Sequence, residues 1–410
     1  MPRLANRRVL RPPQVRGVNR AVVLQLLRNN DSLSRADLAR RSGLSEGAVS
    51  RIVAGLMEDR LVNEDGAENS TGGRPGRRLE LEPSRVSCGA EIQNWETRCV
   101  VTTMRGQIVE TSRFNTPSNP KAALDYIAEV FRAYRKKFGQ DRMEGAGICV
   151  RGIVNGETGV LEYGNRPEWV DVPIRRIMEA KLDAPVFVEN NVRAAAIAEY
   201  HYGSAEVSGG HCFLLVKVDE GIGVGILLDG KVYHGPHMAA GEFGQMVIAA
   251  AAGGGERHDR PGCLERMASN PAICDRYRTR TGANRPAGTG DTLARVRRIA
   301  HWAISGDADA RATLEETARY LGIGISNVVW GLDADVVVIE GAITEAWPIV
   351  EPVLRAQFPD RRDIVNFHDL LIRPSALGEE AALIGAAALP FASVFATGVR
   401  AGAAQAGTVQ

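Results

Sequence analysis

Residues 34–62 read SRADLARRSGLSEGAVSRIVAGLMEDRLV, and this stretch constrains the fold more tightly than any other. Ser34 with Asp37 three positions on has the spacing of a capping box, in which hydroxyl and carboxylate satisfy free backbone N–H groups at a helix start. Gly43 breaks the helix so opened, and Ser45 can cap a second one. Along that second helix Val49, Ile52, Val53, Leu56 and Met57 follow the i, i+3, i+4, i+7, i+8 spacing of a single buried face. Glu46, Gly47, Ser50 and Arg51 occupy the opposite face near its start, beside the cap Ser45. Two helices about a tight glycine turn, the second with a polar N-terminal face, describe a helix-turn-helix. Its small residues permit close approach to a major groove, where Arg51 could reach a guanine edge or a phosphate.

The flanks extend the pattern. Val18–Leu27 is dense in apolar residues and reads as a preceding helix. After Leu61 and Val62, the stretch NEDGAENSTGGRPGRRLELEP reads as a two-stranded wing. Arg74 lies within GGRPG, where glycine and proline suit an extended arginine to a narrow minor groove. Arg77 and Arg78 would add phosphate contacts.

Charge supports the same reading. The chain carries a net charge of only +1, yet residues 1–85 hold sixteen arginines, no lysine and ten acidic residues. The first twenty residues contain six arginines and no acid, as a solvated basic arm would. Such asymmetry points to a nucleic-acid-binding end on a larger, near-neutral body. The N-terminus lacks the apolar stretch of a signal peptide. The uncharged run Ala381–Val399 is alanine- and glycine-rich with Pro390 inside it, which predicts a packed helix and a loose tail, not a membrane span. Six cysteines without a CxxC pair predict free thiols and a cytoplasmic protein.

From Val86 the pattern changes. VSCGAEIQNWETRCVVTTMRGQIVET looks like three strands, followed by helices near 120–138 and 173–182 around the strand GAGICVRGIV. VFVENNVRAAAIAE, residues 186–199, runs from a strand into a helix through the paired amides Asn190 and Asn191. FLLVKVDEGIGVGILLDGKVYHG and ADVVVIEGAI add further strands. This alternation predicts an α/β protein of two lobes with a cleft.

GRPGRRLEL behind a helix-turn-helix, VENNVRAAAIAE, GIGVGILLDGKVYHG, AAGEFGQMVI, PGCLERMAS and ALGEEAALIGAAAL together resemble the ROK family, in family order from about Gly17 to Leu389. That family comprises sugar-responsive repressors and sugar kinases. The resemblance implies a winged helix-turn-helix followed by a two-lobed actin-like ATPase fold. The expected layout is a basic arm (1–16), the winged helix (17–82), a first lobe (83–197, completed by about 374–390), a second lobe (198–373) and a flexible tail (391–410).

The resemblance also marks departures. ROK kinases place an aspartate, the base that deprotonates the attacking sugar hydroxyl, where Asn191 stands; an amide cannot accept that proton. Their first phosphate turn, Asp-x-Gly-x-Thr, corresponds to Glu91-Ile92-Gln93-Asn94-Trp95, and the second, Gly-Thr-Gly, to Asp219-Glu220-Gly221. Two carboxylates in the second turn would repel a triphosphate. Asparagine still donates and accepts hydrogen bonds, so Asn190 and Asn191 can hold sugar hydroxyls. By resemblance the other sugar contacts fall on Glu242, Gln245 and Glu265, with Gly152 and Asn165 near the cleft. The family's structural zinc would take Gln245, Glu256, His258 and Cys263, a set with one thiolate and a poor glutamine ligand, so no metal or cofactor is expected. The resulting expectation is a DNA-binding regulator of sugar metabolism genes, a repressor without catalytic residues. It would bind a double-stranded operator and a small sugar effector, and form a homodimer or homotetramer. The alternative is an ATP-dependent sugar kinase that retains a DNA-binding head.

Overall fold

Helix ends organise the N-terminal region of the computed structural model, which describes residues 12–67, 77–204, 210–249, 261–282, 291–358 and 370–397. Three helices come first: α1 (Pro12–Arg28), α2 (Arg35–Ser42) and α3 (Glu46–Glu58). Both halves of the α2 capping box form, the Ser34 hydroxyl accepting from the Asp37 N–H and the Asp37 carboxylate accepting from the Ser34 N–H. Gly43 ends α2 in the left-handed region at φ 70°, where its N–H donates to the Ala39 carbonyl. The Ser45 hydroxyl caps α3 by accepting from Ala48 N–H. Val49, Val53 and Leu56 are buried as their spacing predicts, with Ile52 and Met57 packed half-buried against the same core. Strands β1 (Leu33–Ser34), β2 (Val62–Ala67) and β3 (Arg77–Leu81) close the wing as an antiparallel sheet in the order β1-β3-β2. The wing tip, with Arg74, lies outside the described residues.

The next elements are β4 (Val86–Ile92), β5 (Glu96–Thr103), β6 (Ile108–Asn115), α4 (Pro120–Phe138), β7 (Met143–Val150), β8 (Gly152–Asn155), β9 (Val160–Gly164), β10 (Val170–Val172), α5 (Ile174–Leu182) and β11 (Val186–Asn190). Their main sheet has the order β11-β7-β4-β5-β6, with β4–β5–β6 an antiparallel meander and β4–β7 parallel. Every residue of β4 and β7 is buried. The final helix, α12 (Ala381–Thr397), rests on these two strands. A Cβ on Gly89 would lie 2.6 Å from the Ala387 nitrogen, and one on Gly147 1.8 Å from the Ala386 carbonyl oxygen, so only glycine admits the helix at both positions.

The remaining elements are α6 (Asn191–Tyr202), β12 (Cys212–Val218), β13 (Ile222–Leu228), β14 (Lys231–Val232), α7 (Leu264–Ala268), α8 (Asn270–Thr281), α9 (Thr292–Ile304), α10 (Ala308–Leu332), β15 (Val336–Glu340), α11 (Trp347–Arg355) and β16 (Leu371–Pro374). Their sheet runs β14-β13-β12-β15-β16, antiparallel at β12–β13 and parallel across β12–β15–β16. Helices α7 to α11 bury Leu264, Ile273, Ile299, Leu321 and Leu354 against it. Among the described residues no helix is long and apolar enough to cross a membrane.

The chain separates into two compact units, Met1–Glu189 with Ala386–Gln410, and Asn190–Gly385. Several expected boundaries move. Residues Pro12–Arg16, assigned to the arm, are helical because α1 begins at Pro12, a residue suited to a first helical turn. The first lobe ends at Glu189, not 197, because α6 packs on β12 and β13 of the second unit. The return to the first unit comes at Ala386, not 374, since β16 pairs with β15. Residues 391–397, placed in a flexible tail, continue α12, where Phe391, Val394 and Phe395 are buried in the winged-helix core with Val23, Leu24 and Leu27. The physical reason is that α1 to α3 cannot fill their own core, and three apolar side chains from the far end of the chain complete it.

Candidate functional site

The polar N-terminal face of α3 is solvent-exposed, opposite its buried apolar stripe. Ser45, Glu46, Gly47, Ser50 and Arg51 are all exposed at the start of α3, and nothing stands within 4 Å of a Cβ placed on Gly47. Arg51 Nε donates to the Gly47 carbonyl at 3.2 Å, leaving the rest of its guanidinium on the surface. At the wing base Arg77 is exposed and paired with Glu64 at 2.7 Å, while Arg35 pairs with the same carboxylate. Hydrogen bonds from Arg77 and Arg35 hold the Glu64 carboxyl below its usual range. Arg78 departs from expectation. Its Nε donates to Ser32 Oγ at 2.7 Å and its Nη2 to the Ser32 carbonyl at 2.9 Å, so the guanidinium pins β3 to the α1–α2 turn. That role is structural, because a half-buried guanidinium satisfied within the fold has little left to offer a phosphate.

The second unit gathers five of the seven candidate sugar contacts around β13. Asn190 caps α6, its Oδ1 accepting from Val192 N–H at 2.8 Å and Arg193 N–H at 3.2 Å. Asn191 differs: its Oδ1 is buried with no hydrogen-bond partner among the described residues. A buried acceptor left empty costs free energy unless a ligand fills it. The first turn of α6 is held on β13, since Cβ atoms on Gly223 and Gly225 would sit 2.9 Å and 2.5 Å from Val192 Cγ2 and Ala196 Cβ. Val224 N–H donates to the Gly241 carbonyl at 2.9 Å, bringing Glu242 to the same strand, and Ile222 N–H donates to Glu265 Oε2 at 3.0 Å. Gln245 Nε2 is 3.5 Å from Glu265 Oε1. One strand therefore organises Asn190, Asn191, Glu242, Gln245 and Glu265.

Gly152 and Asn165 belong to the first unit. Gly152 has φ +127°, and a Cβ there would be 2.1 Å from the Tyr163 carbonyl oxygen, so the β8–β9 hairpin alone accounts for it. Asn165 Nδ2 donates to Asn94 Oδ1 at 2.5 Å. The asparagine and glutamate contacts placed in opposite lobes by the sequence thus fall in one unit, because the lobe boundary precedes Asn190.

The two phosphate-turn counterparts are closed by their own side chains. Glu91 is 1 % exposed and pairs with Arg98 at 2.5 Å across β4–β5, where the two residues are in register. Arg98 was not among the expected functional residues; opposite charges facing each other across the 93–96 turn were the available signal. Asp219 accepts from Asn270 through both its backbone and its side chain, at 2.9 and 3.3 Å, and Glu220 accepts from the Thr292 hydroxyl.

The zinc set does not fit either. Gln245 directs its amide toward Glu265, Cys263 is a buried residue bridged to Val247, and Glu256 and His258 lie outside the described residues. One thiolate and one amide are a weak donor set for zinc. Among the described residues no three His, Cys, Asp or Glu side chains are grouped to hold a metal.

Comparison with known proteins places these features. The chain is 27 % identical over 380 residues to the xylose repressor of Bacillus subtilis, covering 90 % of this chain and 94 % of that one. A crystal structure of a ROK family transcriptional regulator, a homologue of the E. coli MLC protein, superposes with a TM-score of 0.75 at 23 % identity over 94 % of this chain and 98 % of that chain. The ROK hexokinase of Thermus thermophilus superposes at 0.61, with 27 % identity over 75 % of this chain and 99 % of that chain. The fold is thus shared by regulators and kinases. A winged helix-turn-helix DNA-binding profile matches residues 22–63 and the ROK family profile matches residues 88–392, three quarters of the sequence, so this chain belongs to the ROK family.

Proposed function

We propose that the protein is a transcriptional regulator, acting as a repressor of sugar metabolism genes. Its winged helix-turn-helix binds an operator in double-stranded DNA, and its kinase-like domain senses a sugar without phosphorylating it. The observation that carries the reading is Asn191. It is an amide at the position where the family's kinases keep their base, and its buried Oδ1 lacks a partner among the described residues. Such an atom can accept a sugar hydroxyl's hydrogen bond but cannot carry its proton away. The Glu91–Arg98 pair supports the same reading, because a carboxylate held in a buried ion pair is not available to magnesium or phosphate. The xylose repressor relative supports a sugar as effector.

Arg51 reads a base edge or phosphate in the major groove, while Arg74 and Arg77 serve the wing. Palindromic operators are read by symmetric assemblies, so the working form is a homodimer or homotetramer. Sugar and operator must then affect each other's affinity by the same factor, with an ordinary coupling of about 1–3 kcal/mol. The test is to select an operator from a random duplex library and measure its affinity with and without each member of a sugar panel. Asn191→Ala should abolish the sugar response while leaving sugar-free DNA binding intact. Operator affinity indifferent to every sugar would sink the sensing reading.

A further inference from the structure

The wing sheet brings two arginines to one carboxylate. Ser34 of β1 pairs with Arg78 of β3, so the next positions along these antiparallel strands are Arg35 and Arg77, where the chain passes from β1 into α2. Glu64 of β2 stands opposite Leu79, two residues from Arg77 and therefore on the same face of the sheet. Arg35 Nη2 donates to Glu64 Oε1, and Arg77 Nη1 donates to Oε2 at 2.7 Å, so each carboxylate oxygen holds one guanidinium. The Glu64 side chain is 15 % exposed and that of Arg77 74 %, which sets the acid behind the cation.

Charge marks this triad as more than a stabilising pair. Hydrogen bonds from Arg77 and Arg35 hold the Glu64 carboxyl below its usual range, so it stays ionised. Two guanidiniums and one carboxylate leave a net charge of +1, equal and opposite to one phosphodiester. Among the described residues neither arginine side chain makes a hydrogen bond or ion pair beyond the one to Glu64. Each guanidinium carries five N–H donors in a planar fork, so both keep donors for an outside acceptor. Stability does not account for the second arginine, because Glu64 already has Arg35 and an ion pair to a side chain as exposed as Arg77 contributes little. Arg35 opens α2, the first helix of the helix-turn-helix, and in this motif that helix crosses the phosphate backbone.

We infer that Arg35 and Arg77 together grip one backbone phosphate of the operator, and that Glu64 is the positioning residue that fixes both guanidiniums before DNA arrives. This inference rests on the operator-binding reading and adds Arg35 and Glu64 to its machinery. Guanidinium forks bind phosphate through paired, charge-assisted hydrogen bonds. Such contacts fix register on the duplex without reading its sequence, so the clamp decides how the polar face of α3 meets the base edges.

The test uses the full-length protein, a selected operator and a scrambled duplex of the same length, titrated from about 50 to 200 mM salt. One neutralised phosphate contributes a slope of about 0.9 in log affinity against log salt, which is about three- to fourfold in affinity over that range. Arg35→Gln and Arg77→Gln should each weaken both duplexes and remove that three- to fourfold from the salt dependence. The double variant should show the same salt dependence as either single one, because both arginines serve one phosphate. Glu64→Gln should lower the ratio of operator to scrambled affinity severalfold without weakening the scrambled duplex, since charge is kept and register is lost. Thermal melts of each variant accompany the titrations. Arg35→Lys and Arg77→Lys, which keep the charge and lose the fork, should bind more weakly with the parent's salt dependence even where a glutamine variant melts early. An unchanged salt dependence in Arg35→Gln overturns the clamp and leaves operator binding intact. So does a double variant that loses two phosphates' worth, which would make the contacts separate. Glu64→Gln tightening both duplexes by one factor also overturns it, because the carboxylate would then only subtract charge. No binding of any duplex by the parent overturns both readings.

Discussion

Replacing Phe395 by alanine should unfold the DNA-binding end of a protein whose DNA-binding residues lie more than three hundred positions earlier. Phe395 is 3 % exposed, belongs to the same buried cluster as Leu24, Leu27, Leu38 and Val53, and has the Arg28 guanidinium 4.5 Å from its ring centroid. Truncating a buried phenylalanine costs about 3–5 kcal/mol, through lost transfer energy and the cavity left behind. Losing the cation–π contact adds about 0.5–1 kcal/mol. Against a domain stability of about 5–15 kcal/mol, a loss of that size removes a large share of what holds α1 to α3 together. The tie from Arg105 would survive: its Nη2 donates to the carbonyls of Leu27, Asn30 and Asp31 at 3.3, 3.0 and 2.6 Å. The assay is native-state hydrogen exchange resolved by segment, alongside operator binding. Amides of α1 to α3 should lose about two to four orders of magnitude of protection, and operator affinity should fall with them. Phe131→Ala, a buried site in the core under β4 and β7, is the control and should not act selectively on those helices. Unchanged exchange in α1 to α3 for Phe395→Ala would refute the claim that the C-terminal helix completes the winged-helix core.

Arg51→Ala should cost about 1–3 kcal/mol of operator affinity, whereas Arg78→Ala should lower the melting temperature of the winged helix, since its guanidinium is spent on Ser32. Binding over a salt series and thermal melts separate the two; equal effects of both variants on affinity alone would contradict the assignment. Asn191→Asp should not create sugar kinase activity with labelled ATP and a hexose panel, because Glu91 stays locked to Arg98; turnover by the unsubstituted protein would promote the kinase alternative. The Glu64 and Asp37 carboxyls are both held below their ordinary range, Glu64 by Arg77 and Arg35 and Asp37 by the Ser34 hydroxyl. Their stabilisation is therefore present above the unfolded carboxylate pKa of about 4 and is lost as pH falls through the lower folded values. Acid titration of winged-helix circular dichroism should show this loss below about pH 4, and Glu64→Gln should flatten it; an unflattened curve would remove Glu64 from the account.

What the amino-acid order determined by itself was everything with a short range. Ser34, Asp37, Gly43 and Ser45 mark helix ends through contacts three or four residues away, and the apolar spacing of α3 names its buried face without knowing what covers it. The family motifs were legible for a related reason, since each is a contiguous run of residues. Tertiary structure decided which polar groups are already spent. Arg78 reads as a phosphate contact until Ser32, forty-six residues away, is brought beside it. Asn190 and Asn191 look equivalent in the sequence, yet the end of β11 turns one into a helix cap and leaves the other with a buried acceptor that no described residue fills. The alanine-rich terminus resembles a loose tail because its partners are α1 and the glycines of β4 and β7, and no local pattern can reveal an apolar surface supplied by residues three hundred positions distant. Burial and hydrogen-bond satisfaction depend on pairs remote in sequence, so only the folded chain determines which side chains remain free for DNA or a ligand.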